Sequence, residues 1–279
     1  MVGLSFNKMH GLGNDFVVLD GRRRAVPLGA DQVRAVANRR TGVGCDQLII
    51  LDPPRNGGAD VFIRIYNADG GEVFACGNAA RCVAAMIMDE RGADEAVIET
   101  AHDTLGARRA ENGLIALDMG PVRTAWDDIP LAEPRDTLHL GIALGPFADP
   151  VAVNVGNPHA VFFVEDVEAV DLAPLGSVLE RHELFPERTN VEAVAVLSPS
   201  TLRVRVWERG VGITPACGSG ACAAFVAANL RGLAARAGEV ILDGGTLGIE
   251  LLDDGHVLMT GPVAAAFSGT LDPSLASAS

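Results

Sequence analysis

Lysine is almost absent from this chain of 279 residues: Lys8 is the one instance. An enzyme that uses pyridoxal phosphate needs a Schiff-base lysine. Lys8 would have to be that residue, and no recognisable phosphate cradle lies near it. Basic residues are also scarce, 22 Lys and Arg against 36 Asp and Glu, for a formal net charge of -14. Nucleic acid or an anionic membrane surface would require a basic footprint, so neither is an expected partner. The cluster Arg22-Arg23-Arg24 reads as a solvated turn.

Long apolar runs are missing too. MVGLSFNKMHGLGNDF places polar residues and glycines where a signal peptide needs a continuous apolar core, and no later run reaches membrane-spanning length. A cytoplasmic protein is the expectation. The five cysteines, Cys45, Cys76, Cys82, Cys217 and Cys222, are odd in number and too few for a disulfide framework. They read as free thiols or ligands.

What is present is an ordinary folded composition, 48% hydrophobic and 21% charged with 32 glycines, at a length that suits two lobes. An internal repeat supports two. Ala75-Cys76-Gly77-Asn78 recurs as Ala216-Cys217-Gly218-Ser219 at an offset of 141. Gly13-Asn14 before FVVL matches Gly156-Asn157 before AVFFV, and Gln47 before LIIL matches Asn190 before VEAVAV, both at 143. Tyr66-Asn67 closing VFIRIYN matches Trp207-Glu208 closing LRVRVWE at 141. The identity between these landmarks is low, so what repeats is architecture and polar positions.

VFIRIYN and LRVRVWE alternate as half-buried strands do, and DMGPV and GHVLMTG read as later strands of the two halves. After each Cys-Gly pair comes an alanine-rich apolar run, closed by Gly92 or Gly232 in the usual helix-stop position. Each cysteine therefore stands at a helix N-terminus. Two more helices are expected at Asp31 to Asn38 and Leu172 to His182. The fold class is α/β (α+β), with two pseudo-symmetric lobes. Each is a mostly antiparallel sheet wrapped around a central helix, and the active site is expected in the cleft between them. The lobes are expected at 1–119 plus 263–279 and at 120–262, with a break near Gly120-Pro121. A last strand, roughly Pro262 to Leu271, returns to the first lobe, and the tail DPSLASAS reads as frayed.

A helix N-terminus lowers the pKa of a thiol through its unpaired N–H groups and dipole, and the same groups bind anions. Two such starts suit proton transfer at a carbon next to a carboxylate: one thiolate removes the α-proton, the opposite thiol returns one to the other face, and configuration inverts. Such a pair shares one negative charge and titrates as a unit. Cys45, Cys82 and Cys222 read as small buried hydrophobes. A zinc site using Cys217 and Cys222 is the rival, but positions five apart on a helix point to largely different faces. GLGNDF and GVGCDQ lack the third glycine of a dinucleotide fingerprint and read as turns near a ligand. His159 after Asn157-Pro158, taken alone, is as readily a turn residue as a functional one.

FNKMHGLGNDFVVLD, GVGCDQLII, YNADGGEVFACGNAARC, GNPHAVFFV, RTNVE and WERGVGITPACGSGACAA, in this order, resemble diaminopimelate epimerase over essentially the whole chain. The resemblance implies a cofactor-independent isomerase that converts LL-diaminopimelate to the meso isomer for lysine and peptidoglycan precursors, with no metal. It implies that Cys76 and Cys217 are the two catalytic bases, Cys217 taking the proton of the LL isomer and Cys76 returning one. Gly77, Asn78, Gly218 and Ser219 match helix-start donors to the reacting carboxylate. Asn14, Gln47, Asn67, Asn157, Asn190, Glu208 and Arg209 match substrate-binding positions, and His159 and Glu208 match positions that adjust the cysteines' protonation. Arg209 suits a distant carboxylate and Glu208 an ammonium. The resemblance also implies a homodimer formed through an aromatic near the C-terminus, where this chain has Phe267. Departures from the family pattern are Ile213, Pro215, Gly71 and Ala79. The readings left open beside this one are a related racemase of another amino acid and a cysteine-ligated metal or redox protein.

Overall fold

The computed structural model describes residues 3–73 and 76–276. Ala75 of the repeated string and the tail residues 277–279 lie outside the described residues. The chain divides into one unit formed by Met1–Leu117 with Gly261–Ser279 and a second formed by Asp118–Thr260. These bounds lie close to the expected division at 119 and 262, and the strand Ile115–Pro121 runs through both the boundary after Leu117 and the expected break near Gly120-Pro121.

In the first unit the hairpin Ser5–Gly11 and Asn14–Asp20 turns on Leu12 and Gly13, both at positive φ (54° and 86°), the conformation a two-residue hairpin turn requires. Helix α1, Ala30–Ala37, then returns the chain so that Gln47–Asp52 lies parallel to Asn14–Asp20. Val61–Asn67 pairs antiparallel with Gln47–Asp52 and parallel with Glu95–Glu99. Helix α2, Gly77–Arg91, makes that second crossover, and Thr104–Arg109 and Ile115–Leu117 complete the ladder antiparallel.

The second unit repeats the plan. Val151–Asn154 and Pro158–Phe163 are antiparallel, α3 (Leu172–Leu179) crosses to the parallel strand Asn190–Ser198, and Thr201–Glu208 follows antiparallel. Helix α4, Gly218–Leu230, leads to Ala237–Leu242, parallel to Thr201–Glu208, and Gly245–Leu251 and His256–Gly261 close the series antiparallel. Registers repeat as well as order. Phe16 faces Gln47 as His159 faces Asn190, and Leu48 faces Tyr66 as Val191 faces Trp207.

Burial explains the sequence patterns. FVVL and LIIL are apolar without alternation because both faces of their sheet are covered. Val17, Leu19, Leu48 and Ile50 pack with Val33 and Val36 of α1, and the intervening residues Phe16, Val18, Ile49 and Leu51 are buried on the other face. Helix α2 is buried from Asn78 through Ala85, which is why it carries alanine nearly all round rather than one apolar stripe. It ends on Gly92 at φ 62°, the left-handed position that glycine takes at low cost. Helix α4 packs against six strands of its own unit. In α3 the face of Gly176 lies against Trp207, where an added Cβ would meet the ring at 2.5 Å.

The structure differs from the sequence reading in three places. The helices α1 and α3 end at Ala37 and Leu179, before Asn38 and His182. The segment 122–150, which has no counterpart in the first unit, covers the α3 core with Trp126, Ile129, Leu131, Leu140 and Phe147, the last stacked on Phe162 at 4.5 Å. The tail is not frayed through its described part. The last strand is found where expected, Ala264–Thr270 pairing with Ser5–Gly11, and beyond it the short helix α5, Pro273–Ala276, sets Leu275 against the α1 core.

Candidate active site

Each unit collects its candidate residues at the strand ends next to the start of its buried helix. In the first unit Asn14 opens its strand directly after the hairpin turn, and Gln47 and Asn67 face one another across the antiparallel ladder. Gln47 Nε2 donates to Asn67 Oδ1 at 3.0 Å, while Gln47 Oε1 is buried with no hydrogen-bond partner among the described residues. A buried acceptor in that condition marks a place for water or ligand. Cys76 is the residue that caps α2, with extended backbone angles (φ -156°, ψ 105°). Its Sγ donates to Asn14 Oδ1 at 3.8 Å, and Asn78 Nδ2 donates to the same oxygen at 3.3 Å. The fully buried Arg81 donates to Asn78 Oδ1 at 2.8 Å and so holds the first turn of α2.

In the second unit Cys217 caps α4. Gly220 N–H donates to its Sγ at 3.3 Å, and Ser219 Oγ lies 3.5 Å from it. Glu208 ends the strand Thr201–Glu208 and accepts a short hydrogen bond from the Thr214 hydroxyl. Arg209 follows it; its N–H donates to Asn190 Oδ1 at 2.9 Å, and its guanidinium donates to the Glu187 carbonyl at 3.0 Å. That guanidinium has no carboxylate partner among the described residues. Asn190 Nδ2 donates to the Pro158 carbonyl at 2.9 Å. His159 is buried between Glu192, 2.6 Å from Nδ1, and Asn157 Oδ1, 2.7 Å from Nε2.

The electrostatics of Cys217 run opposite to the expectation for a thiol at a helix start. Burial pushes this thiol well above its ordinary range, and the Glu208 carboxylate pushes it further. The Ser219 and Gly220 hydrogen bonds pull it down without winning. Desolvation of the charged sulfur outweighs the helix terminus here. Burial also raises the carboxyl of Glu208, against the opposing effects of Thr214, His159 and the Cys217 thiol.

The structure thus brings together Asn14, Gln47, Asn67, Cys76, Gly77 and Asn78 in one unit, and Asn157, His159, Asn190, Glu208, Arg209, Cys217, Gly218 and Ser219 in the other. Sequence reading missed Glu192, Asp46, Arg81 and Thr214, each of which holds one of these residues. An acid inside VEAVAV and an arginine inside an alanine-rich helix were the available signals, since a buried charge demands a partner. Cys45, Cys82 and Cys222 are buried in the core, and burial pushes the first two thiols to about 11 and about 12. Among the described residues no group of three or more His, Cys, Asp or Glu could hold a metal ion. Lys8 is engaged by Asp15 at 2.5 Å and by the Gly44 carbonyl. Of the departures from the family pattern, Ala79 is fully buried in the first turn of α2 and Ile213 faces solvent opposite Trp207. The Pro215 carbonyl accepts from Gly244 N–H at 2.7 Å, and Gly71 sits in the turn after Asn67. None of these four makes a side-chain hydrogen bond within the two clusters.

A family model described as diaminopimelate epimerase matches residues 6–125 and 151–265. Over 270 residues the chain is 58% identical to a diaminopimelate epimerase of Rhodospirillum centenum, covering 97% of this chain and 93% of that protein. A diaminopimelate epimerase of Acidiphilium cryptum is 52% identical over 270 residues and 97% of both chains. Among solved structures, a hydroxyproline epimerase of Agrobacterium vitis with bound trans-4-hydroxy-L-proline has the same fold, with a TM-score of 0.69 at 16% identity over 98% of this chain and 94% of that one. The match takes in residues of both units, Cys76 and Cys217 among them, and the chain belongs to the diaminopimelate epimerase family.

Proposed function

We propose that this protein is a pyridoxal-independent isomerase that interconverts LL- and meso-diaminopimelate by a two-base mechanism, in lysine and peptidoglycan-precursor biosynthesis. The observation that carries the reading is that one cysteine caps the buried helix of each unit, at equivalent places in two copies of one strand-and-helix plan. The 58% identity to a protein of that name supports the substrate.

In the LL-to-meso direction Cys217 first gives its proton to the neighbouring Glu208 carboxylate. Burial raises the proton affinity of that carboxylate and so narrows the gap to the thiol. The thiolate takes the α-proton, and the Cys76 thiol, protonated toward Asn14 Oδ1, returns a proton to the opposite face. One thiolate is consumed and one formed, so the pair carries the same charge before and after. Backbone N–H groups at Gly77, Asn78, Gly218 and Ser219 stabilise the charge that the substrate carboxylate gains as the α-proton leaves. Gln47, Asn67, Asn157 and Asn190 supply amide contacts, and Arg209, without a carboxylate of its own, takes the distant carboxylate.

The decisive experiment is incubation of LL-diaminopimelate in heavy water without pyridoxal phosphate under reducing conditions. Deuterium at the α-carbon and appearance of the meso isomer are expected. No exchange at high enzyme concentration overturns the reading. The enzyme works in the cytoplasm, where its cysteines stay reduced. It is a homodimer built on the face that carries Phe267, which is 53% exposed beside Phe6. Sedimentation checks the dimer, and a wild-type monomer overturns it.

A further inference from the structure

Asn14 and Asn157 occupy equivalent places in the two units, two residues before Phe16 and His159 in matching strand registers. Their side chains are nevertheless held in opposite senses. Asn14 Nδ2 donates to Asp46 Oδ2 at 3.1 Å. A carboxylate only accepts, so this contact fixes which end of the amide is which and leaves Oδ1 facing Cys76 and Asn78. Asp46 is itself anchored, by Arg39 at 2.6 Å and by Asp15 N–H at 3.1 Å.

Asn157 is fixed from the other end. Its Oδ1 accepts from His159 Nε2, and Nδ2 makes no hydrogen bond among the described residues. The sense of that contact depends on where the imidazole keeps its proton. Both ring nitrogens face oxygen, Glu192 at Nδ1 and Asn157 at Nε2. The pair satisfies both contacts as imidazolium with carboxylate, or as imidazole with carboxylic acid. In either form Nε2 carries hydrogen. Burial raises the Glu192 carboxyl, which favours retention of the shared proton. Glu192 is fully buried, with Oε1 beside Gly220 in the first turn of α4, where an added Cβ would stand 3.1 Å from it, and with Oε2 without a hydrogen-bond partner among the described residues.

We propose that Asp46 and Glu192 are positioning residues that lock the two equivalent asparagines with opposite polarity. Asn14 then offers an acceptor, suited to a substrate ammonium, and Asn157 offers a donor, suited to a substrate carboxylate. Two units of one plan thereby present unlike ends to an amino acid. This rests on the proposed function for the assumption that both asparagines meet the substrate, but the locks themselves exist without it.

The test has an arm without substrate and an arm with it. In the ligand-free wild-type protein, nitrogen NMR of the histidines, with His159 assigned by its loss in H159Q, is expected to show a proton on Nε2 at neutral pH. The Asn14 side-chain amide protons are expected to exchange more slowly than those of Asn157. An unprotonated Nε2, or equal exchange, overturns the locks. In turnover, E192Q and D46N are each expected to raise KM about tenfold with kcat changed less than about twofold, the loss of one charge-assisted hydrogen bond. Repeated in N157A and N14A respectively, each is expected to add nothing, as a double-mutant cycle requires of coupled residues. The same factor in both backgrounds shows a merely structural role and overturns the proposal. If the wild-type enzyme exchanges no α-proton while the NMR results hold, the functional reading has failed and the locks stand.

Discussion

After burial itself, the Glu208 carboxylate is the group that most raises the proton affinity of the Cys217 thiol, and the thiol in turn donates to that carboxylate. Cys217 in the free protein is therefore a protonated thiol, and its reactivity is governed by Glu208. Alkylation by iodoacetamide, followed by mass mapping, should show Cys217 reacting along a pH curve whose midpoint lies above the ordinary thiol range. In E208Q the midpoint should fall, because a repelling charge has gone. Epimerisation should fall as well, by about a hundredfold or more, because the proton acceptor has gone. Reactivity and activity moving in opposite directions is the signature. A curve unchanged by E208Q would remove Glu208 from the account.

Two sequence inferences about cysteine met different physics. The place of Cys76 and Cys217 was legible because a helix start leaves marks: a Cys-Gly pair, an alanine-rich run and a stop glycine, repeated at a fixed offset. The sign of the Cys217 shift was not legible. It depends on how deeply Sγ is buried and on Glu208, which is nine residues away in sequence and is brought near by the turn 209–211 that pairs it with Gly212. His159 was ambiguous for the same reason, since its partner Glu192 is brought to it only by the parallel register of His159 with Asn190. The segment 122–150 escaped because it has no copy in the first half and little regular structure to leave a period.

The remaining three cysteines should separate from the two at helix starts by chemistry alone. With burial holding Cys45 near about 11 and Cys82 near about 12, neither forms appreciable thiolate at neutral pH. Both should resist iodoacetamide in the folded protein and react on denaturation. C82S should cost about 1–3 kcal/mol of stability, since a hydroxyl replaces a thiol in the packed interior of α2. It should leave α-proton exchange within a few-fold of wild type, whereas C76S should reduce it by more than about a thousandfold. Loss of exchange in C82S without loss of stability would contradict this division.

Asp15 links the first unit to pH. Burial acts to raise its carboxyl, but hydrogen bonds from Arg39, Lys8 and the Asp46 N–H, with the charge of Lys8, hold it well below the usual carboxylate range. A carboxyl depressed in the folded state adds stability above its unfolded pKa, about 3.9, and loses it as pH falls toward the folded value. Denaturant midpoints measured between about pH 5 and about pH 2 should therefore fall for wild type, and fall less for D15N, which has no such proton to gain. Parallel curves would show that Asp15 contributes nothing to acid sensitivity.

The C-terminal return should prove necessary to the first unit. Ala264–Thr270 pairs with Ser5–Gly11, whose other strand partner among the described residues is Asn14–Asp20, and Leu271 N–H continues the pairing to the Leu4 carbonyl at 2.8 Å. Leu271 is then buried among Phe6, Val17, Val26 and Val33, a core supplied wholly by the other end of the chain. L271A should cost about 2–5 kcal/mol, the range for removing a buried leucine side chain. L275A, at a partly buried position, should cost less. Hydrogen exchange gives a local reading: amides of Ser5–Gly11 and Gln47–Asp52 should lose protection in L271A, while those of Asn190–Ser198 in the second unit should keep theirs. Uniform loss across both units would show that the two open as one, and equal protection in L271A and wild type would show that the return strand holds nothing.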